Sequence, residues 1–260
     1  MSETDIPHGP SDIHPIPACA GYRDGWIRLV AYLVYGTALF AAFGLIQSVA
    51  RGELLIAAIM LVTVLTFIVT LFHEAGHAAA VLWLRGRVLV FSVGPICLKF
   101  RPLRISATPA LRDREVGGFV TYSFQGWETM RKELAVAVAG PAANVVLALL
   151  AGLMTAAFIP ERSPVQPQRI AVVADVERES ETFIVAPLPS KEAMERAARD
   201  RKSKESRTFW IAILQAVMML SIGTAIANML PFRGSDGEVL RRYMRDRREL
   251  RQYRARREQR

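Results

Sequence analysis

Cysteine is nearly absent from this chain of 260 residues, which contains only Cys19 and Cys97. Two isolated cysteines make neither a CxxC metal motif nor a disulfide framework, so domains built on either are excluded. Histidine is also scarce, with four residues. Acidic side chains number 24 against 33 basic ones, yet the sequence contains no recognisable nucleic-acid-binding module, and we expect no nucleic-acid partner.

Apolar residues, in contrast, make up 52% of the chain, a share that is high for a soluble domain and usual for a small multi-span membrane protein. Four apolar runs are long enough to cross a hydrocarbon core about 30 Å thick. They cover residues 27–50, 54–84, 134–158 and 209–230. The sequence therefore predicts an all-α multi-pass membrane protein with about four transmembrane helices.

The segments at the two ends differ from these runs. Residues 1–26 contain five Pro or Gly breakers before Ala18, which predicts a flexible tail without a cleavable signal peptide. The last stretch, 241–260, is dense in arginine and predicts a basic tail helix. Between them, residues 27–240 are predicted to form one membrane domain.

The stretch 88–122 has a different pattern from the rest of the chain. Val88–Val93 and Ile96–Phe100 are rich in β-branched and aromatic residues, Gly94-Pro95 separates them, and Gly117–Tyr122 is a third candidate strand. The pattern predicts a small β-sheet inserted after the second apolar run. Two interpretations remain open: a sheet edge on which an extended peptide lies as an added strand, or a cytosolic loop with local hairpins.

The distribution of Lys and Arg predicts the side of the membrane on which each loop lies. Stretch 85–133 holds nine of them against four acids, stretch 231–260 holds eleven against five, and loop 159–207 holds ten against nine. The first two are therefore expected in the cytosol and the third outside, where Ile170–Val176 gives a weak strand signal and a helix is expected from Lys191. We expect an integral protein of the cell (inner) membrane, embedded in the lipid bilayer, with a cytosolic C-terminus.

A metal-binding pattern, H-E-x-x-H, occurs at residues 73–77 within the second apolar run. Residues four apart on a helix share one face, so His73 and His77 are predicted to point at one metal ion. Zinc is the expected ion, and Glu74 is placed to take a proton from a water at the metal. The alternative, a hydrogen-bonded pair of core histidines, is disfavoured because ionisable groups at membrane depth are costly.

A tetrahedral zinc with two histidines needs a third protein ligand and one open position. Asp236 is the best candidate, because Pro231 should break the fourth helix and Gly237 permits a tight turn that lets residues 232–237 line the cavity. Glu238 is the rival ligand, although its position suits the start of the tail helix. The alternative for Asp236 is an ordinary turn or helix-capping residue.

The third apolar run contains Gly140-Pro141-Ala142-Ala143-Asn144. Taken alone, this motif favours a proline kink with a seam of small residues, which is common where membrane helices pack. The alternative is that Asn144 faces an active-site cavity, because an amide within lipid needs a partner.

Together these motifs resemble the site-2 protease family of intramembrane zinc metallopeptidases. The matches are H-E-x-x-H at 73–77, Gly-Gly-Phe-Val at 117–120, G-P-x-x-N at 140–144, and N-x-x-P-x-x-x-x-D-G at 228–237. They occur in the family's order over about residues 54–240. The second glycine that is common after the Asp-Gly pair is replaced here by Glu238.

The resemblance implies a zinc-dependent endopeptidase that hydrolyses a peptide bond in or near the transmembrane segment of a membrane-protein substrate, as in regulated intramembrane proteolysis. It implies one zinc per chain, and it assigns roles to six residues. His73, His77 and Asp236 would bind the zinc, Glu74 would activate the water, and Asn144 and Asn228 would position substrate or intermediate. No PDZ or CBS domain is evident in the sequence, so a regulatory partner protein is a further expectation.

Two other functions remain as alternatives. A proteolytically silent relative would bind membrane helices as a chaperone or adaptor, although the intact ligand set argues against it. A zinc transporter or sensor would need polar groups on both sides of the site, and the sequence contains no second cluster of histidines or acids.

Overall fold

The computed structural model describes residues 23–49, 55–100, 102–107, 117–124, 129–159, 190–232 and 234–258. Within these ranges the chain is mostly helical, with a small antiparallel sheet after the second helix. This arrangement confirms the predicted fold class. The expected tail, residues 1–26, was drawn too long, because residues 23–26 already belong to the first helix. The rest of that tail and the weak strand signal at Ile170–Val176 lie outside the described residues.

Among the described residues, four helices contain segments that are long and apolar enough to cross a membrane, which confirms the predicted number of spans. They are α1 (Arg23–Val49), α2 (Leu55–Trp83), α3 (Thr129–Phe158) and α4 (Lys191–Met229). Helix α4 begins at Lys191, where a helix was expected, and continues without a break into the predicted span at 209–230. Hydropathy reports only the part of a helix that suits lipid, whereas the polar residues from Lys191 continue the same helix.

The helices pack through small side chains. Helix α4 contacts α1, α2 and α3, and Gly223 of α4 lies so close to Ala38 of α1 that no Cβ fits between them. The buried core cluster contains three alanines among five larger aliphatic residues: Ala42, Ile46, Ala58, Val62, Leu65, Val69, Ala216 and Leu220. Large apolar side chains such as Phe40 and Ile56 point outward, as expected for helices whose outer faces contact lipid.

The sheet contains β1 (Arg87–Val93), β2 (Ile96–Phe100), β3 (Leu103–Ala107) and β4 (Gly118–Ser123), in the order β3-β2-β1-β4. All neighbouring strands are antiparallel. Three of the four were predicted. The strand that the sequence did not indicate is β3, an edge strand whose pairing with β2 decides its conformation. Strands β1 and β4 contact α2, which places the sheet beside the helix that carries the two histidines.

A break between α4 and the tail helix α5 (Asp236–Glu258) follows Met229 and includes Pro231, as predicted. Ser235 caps α5, because its Oγ accepts a hydrogen bond from the backbone N–H of Glu238 at 3.3 Å. The Glu238 carboxylate accepts a second bond from the N–H of Gly234 at 2.9 Å. The serine and glutamate thus form a capping arrangement that fixes the first residue of α5.

Candidate metal centre

His73 and His77 lie one turn apart on the buried face of α2, where they are 4% and 7% exposed. Their Nε2 atoms are 3.2 Å apart. Nδ1 of His77 lies 2.7 Å from the carbonyl oxygen of Val136 in α3. Because a carbonyl can only accept, Nδ1 donates this hydrogen bond, and Nε2 of the neutral ring keeps its lone pair for another partner.

Asp236, the first residue of α5, joins the two imidazoles. Its Oδ2 lies 3.2 Å from Nε2 of His73, and its Oδ1 lies 3.4 Å from Nε2 of His77. Burial raises the pKa of this carboxyl, but the two imidazoles beside it outweigh burial, and the pKa falls below its ordinary value. The carboxylate is therefore ionised at neutral pH, which is the form that binds metal.

These three side chains lie close enough together to bind one ion. Ligand atoms at about 2.0–2.1 Å from a tetrahedral centre lie about 3.3–3.4 Å from one another. The two Nε2 atoms are 3.2 Å apart, close to this value, and each lies 3.2 or 3.4 Å from a different oxygen of the Asp236 carboxylate. Among the described residues, His73, His77 and Asp236 are a group of three whose ligand atoms lie within 4.8 Å of one another. The donor set, two imidazoles and one carboxylate, fits zinc with one position open.

Glu238, the rival ligand in the sequence, lies outside this group. Its carboxylate accepts the hydrogen bond from Gly234 and faces the guanidinium of Arg242 at 3.5 Å. Glu238 points away from the histidines because Ser235 caps α5, so that the helix begins at Asp236. The Glu238 side chain then bonds to the turn that precedes the helix. The two acids two residues apart therefore have different partners.

Glu74 lies next to His73 along α2 and is 6% exposed. In the part of the chain that the structure describes, no hydrogen bond reaches its carboxylate. A Cβ at Gly118 of β4 would lie 2.6 Å from Cγ of Glu74, so the first residue of β4 rests directly on this side chain. A buried carboxylate without a hydrogen-bonding partner is costly, and such a group is typical of a functional site rather than of a structural core.

Gly140 provides the room in which the imidazoles meet. A Cβ at this position would overlap Nε2 of His77 and lie 2.9 Å from Nε2 of His73. The sequence motif around Gly140 suggested a packing seam, and this role was missed because a missing side chain carries no chemical signal. The carbonyl of Val136 was missed for a similar reason, since every residue has one.

The two asparagines singled out in the sequence both contact His73. Nδ2 of Asn144 in α3 lies 3.2 Å from Nδ1 of His73, and Nδ2 of Asn228 in α4 lies 3.2 Å from its Nε2. Asn144 is fully buried, and its Oδ1 has no hydrogen-bonding partner within the described residues. Asn228 is half-buried. The structure thus brings together all six predicted site residues, although it places Asn144 behind the imidazole of His73.

One edge of the sheet runs past this centre. Strand β4 pairs with β1 and has no second neighbour among the four described strands. Its first residue, Gly118, contacts Glu74, so the open edge begins beside the buried carboxylate. An extended peptide that pairs with this edge would have a backbone carbonyl near the metal centre.

Comparison with the sequence profiles of known families matches residues 60–259 of this chain to peptidase family M50. The match covers more than half of the chain and includes all the residues of the metal centre. No curated protein and no solved structure matches the chain.

Proposed function

We propose that this chain, which belongs to peptidase family M50, is a zinc-dependent endopeptidase of the site-2 type that hydrolyses a peptide bond in or near the transmembrane segment of a membrane-protein substrate. The observation that carries the proposal is the convergence of His73, His77 and Asp236, whose ligand atoms lie within 4.8 Å of one another, within a bundle of apolar helices. The buried carboxylate of Glu74 beside them supplies the remaining group that peptide hydrolysis needs.

His73, His77 and Asp236 would hold one zinc ion. When bound, zinc polarises the scissile carbonyl and makes a water molecule acidic enough to attack at neutral pH. The chain itself fixes the geometry: Val136 holds the ring of His77, and the Ser235 cap holds the backbone of Asp236.

Glu74 acts as the proton carrier. Its carboxylate takes a proton from the attacking water while the water oxygen forms a bond to the carbonyl carbon. When the C–N bond breaks, Glu74 returns this proton to the leaving amine nitrogen, so that the carboxylate is restored at the end of the cycle. The absence of a hydrogen bond to Glu74 among the described residues leaves both carboxylate oxygens free for this exchange.

The open edge of β4 would present the substrate. A transmembrane helix has its carbonyls engaged in internal hydrogen bonds, so it must unwind locally before one of them is available for attack. Pairing with β4 replaces some of these bonds, and Gly118 at the start of the edge aligns the extended segment beside Glu74. Asn228, which is half-buried, would contact the substrate or intermediate from the side of α4.

A substrate helix that unwinds easily should be cleaved faster than a stable one. Glycine in a helix interior costs about 1 kcal/mol relative to alanine, which is about a fivefold change in the unwinding equilibrium. We expect a single-span substrate with one Ala→Gly change near its cut site to be cleaved about fivefold faster in proteoliposomes. Equal cleavage of the two substrates would contradict local unwinding before attack.

Asn144 is proposed to orient His73. When Nε2 of His73 binds a metal, Nδ1 carries the proton and needs an acceptor. A half-turn of the Asn144 amide presents Oδ1, the atom that now lacks a partner, to this proton. The amide would then fix the tautomer and the plane of the ring, in addition to any contact with the substrate.

Asn144→Ala should therefore weaken zinc binding by about 10- to 100-fold, and Asn144→Asp should restore most of the affinity because a carboxylate also accepts from Nδ1–H. Chelator competition on the purified protein measures both. Thr155→Ala is the matched control, because Thr155 is buried on the same helix and, among the described residues, its hydroxyl bonds only to the carbonyl of Ala151. If the alanine variant binds zinc as tightly as the unmodified protein, Asn144 does not orient His73.

The membrane orientation that we propose has the sheet and α5 in the cytosol. The excess of Lys and Arg in stretches 85–133 and 231–260 supports this orientation, since such residues accumulate on the cytosolic side. The cell membrane is the proposed location, and gating by a regulatory partner protein remains a proposal from the family resemblance.

The test of the function is cleavage by the purified full-length chain in proteoliposomes with a single-span substrate. We expect cleavage that stops when zinc is chelated and returns when zinc is added. A zinc-loaded protein that binds the substrate helix without cleaving it would identify a silent adaptor, and zinc flux across the vesicle membrane would identify a transporter. Either result would overturn the proposal.

A further inference from the structure

A basic groove lies where α5 crosses the beginning of α3. Four arginines line it: Arg131 in the first turn of α3, and Arg247, Arg251 and Arg254 on one side of α5. The groove has a volume of about 640 Å³. It is separate from the metal centre, and none of its residues takes part in the proposed reaction.

These four guanidinium groups have no charged or hydrogen-bonding partner in the part of the chain that the structure describes. All four are exposed. The nearby acid Asp246 faces Arg245 instead, at 3.5 Å. Four like charges that share one groove repel one another, and a phosphate that accepts several guanidinium hydrogen bonds would relieve this repulsion.

The position of the groove selects a lipid as the source of the phosphate. Its wall includes Met130, the first residue of the apolar segment Met130–Phe158, so the groove opens at the level where that span leaves the hydrocarbon. Leu250, which is 57% exposed, adds an apolar surface from α5. A ligand with an anionic head and an apolar body matches both features, and basic residues at this level are attracted to anionic lipids.

The groove is linked to the metal centre by a single helix. Asp236 begins α5, and the three groove arginines that α5 contributes follow 11 to 18 residues later, about 16–27 Å along the same axis. Most of α5 beyond Arg241 is exposed, so few buried contacts hold its far end. A ligand that ties this end to α3 would steady the first turn, where the third metal ligand lies.

We propose that this groove binds the phosphate of an anionic phospholipid and that the bound lipid stabilises the position of Asp236 relative to the two imidazoles. The effect of the lipid on Asp236 rests on the proposed zinc site, whereas binding of the lipid rests on the groove alone. The lipid would thereby tighten zinc binding and couple activity to the composition of the membrane.

The test compares the full-length protein with the triple variant Arg247→Gln, Arg251→Gln, Arg254→Gln, each in neutral detergent with added phosphatidylglycerol. Native mass spectrometry measures the lipid that is retained. We expect the triple variant to retain it on the order of a hundredfold less tightly, since each basic residue near an anionic lipid contributes about a factor of five. The matched control is the triple variant Arg196→Gln, Arg199→Gln, Lys202→Gln. It removes three exposed charges from the N-terminal part of α4, away from the groove, and should leave lipid retention unchanged.

Chelator competition then measures the zinc affinity of each protein with phosphatidylglycerol, with phosphatidylcholine, with inorganic phosphate and with a soluble acidic peptide. Phosphatidylglycerol should tighten zinc binding several-fold in the unmodified protein and in the control variant, and should have no effect in the groove variant. The lipid proposal would be overturned if the groove variant retained as much phosphatidylglycerol as the unmodified protein. It would also be overturned if inorganic phosphate or the peptide tightened zinc binding as much as phosphatidylglycerol does. Lipid retention and zinc affinity are both measured without cleavage. A protein whose zinc affinity rises with phosphatidylglycerol but which cleaves no substrate would therefore contradict only the proposed function.

Discussion

The Glu74→Gln protein is expected to bind zinc as tightly as the unmodified protein and to cleave its substrate about 10²- to 10⁴-fold more slowly, the range that general acid–base catalysis contributes. Glutamine has nearly the same shape as glutamate, so the packing of Gly118 against this side chain is preserved. It cannot take up a proton from water at neutral pH. Zinc content checks the expected metal binding, and single-turnover cleavage in proteoliposomes checks the expected loss of rate.

The control for this variant is Glu195→Gln, which removes an exposed carboxylate from the polar part of α4 and should leave cleavage unchanged. Cleavage by Glu74→Gln at the unmodified rate would show that another group carries the proton. Loss of zinc from that variant would mean instead that Glu74 belongs to the ligand set.

The Gly140→Ala protein is expected to lose its zinc. The added methyl group would overlap Nε2 of His77 and crowd Nε2 of His73, so it would fill the space between the imidazoles where the ion belongs. The helix itself should tolerate the change, because alanine is favoured over glycine in a helix interior by about 1 kcal/mol. We therefore expect a folded protein without metal and without proteolysis.

Gly152→Ala on the same helix is the matched control, because its Cβ would lie 3.6 Å from Sδ of Met218, an ordinary contact. It should keep both zinc and activity. Thermal unfolding of both variants after zinc removal separates a local effect on the site from a loss of fold. A Gly140→Ala protein that binds zinc normally would show that the ion does not lie between the two imidazoles.

The membrane helices were predictable because lipid imposes a simple requirement. A segment that crosses it needs about twenty apolar residues and must satisfy its backbone internally, and hydropathy detects such segments directly. The helix that begins at Lys191 was also expected, but its unbroken continuation into the fourth span was not, and neither was the edge strand β3. These two features depend on helix continuation and on pairing with β2, which a hydropathy pattern does not encode.

The metal centre was predictable to the extent that its residues carry chemistry. The spacing of His73 and His77 places two imidazoles on one helical face whatever the surroundings. Spacing could not decide in the same way between Asp236 and Glu238 as the third ligand, because both are acids near the break between α4 and α5. The Ser235 cap decides it, since it directs Glu238 to Gly234 and leaves Asp236 facing the histidines.

Two contributions to the site had no signal in the sequence. Gly140 acts by the absence of a side chain, and Val136 acts through its backbone carbonyl. Both depend on how closely α3 approaches α2, and that distance follows from packing of small residues along the whole interface. The sequence therefore indicates the side chains that carry the proposed chemistry, but not the groups that make room for them or hold them in place.

The most direct test of the account is the zinc content of the purified, folded chain, measured by inductively coupled plasma mass spectrometry. We predict about one zinc per chain, and loss of that zinc on replacement of Asp236 by alanine, because the third ligand comes from a helix distant in sequence from the other two. A folded protein that neither contains zinc nor takes it up, or an Asp236→Ala protein that retains it fully, would contradict the account.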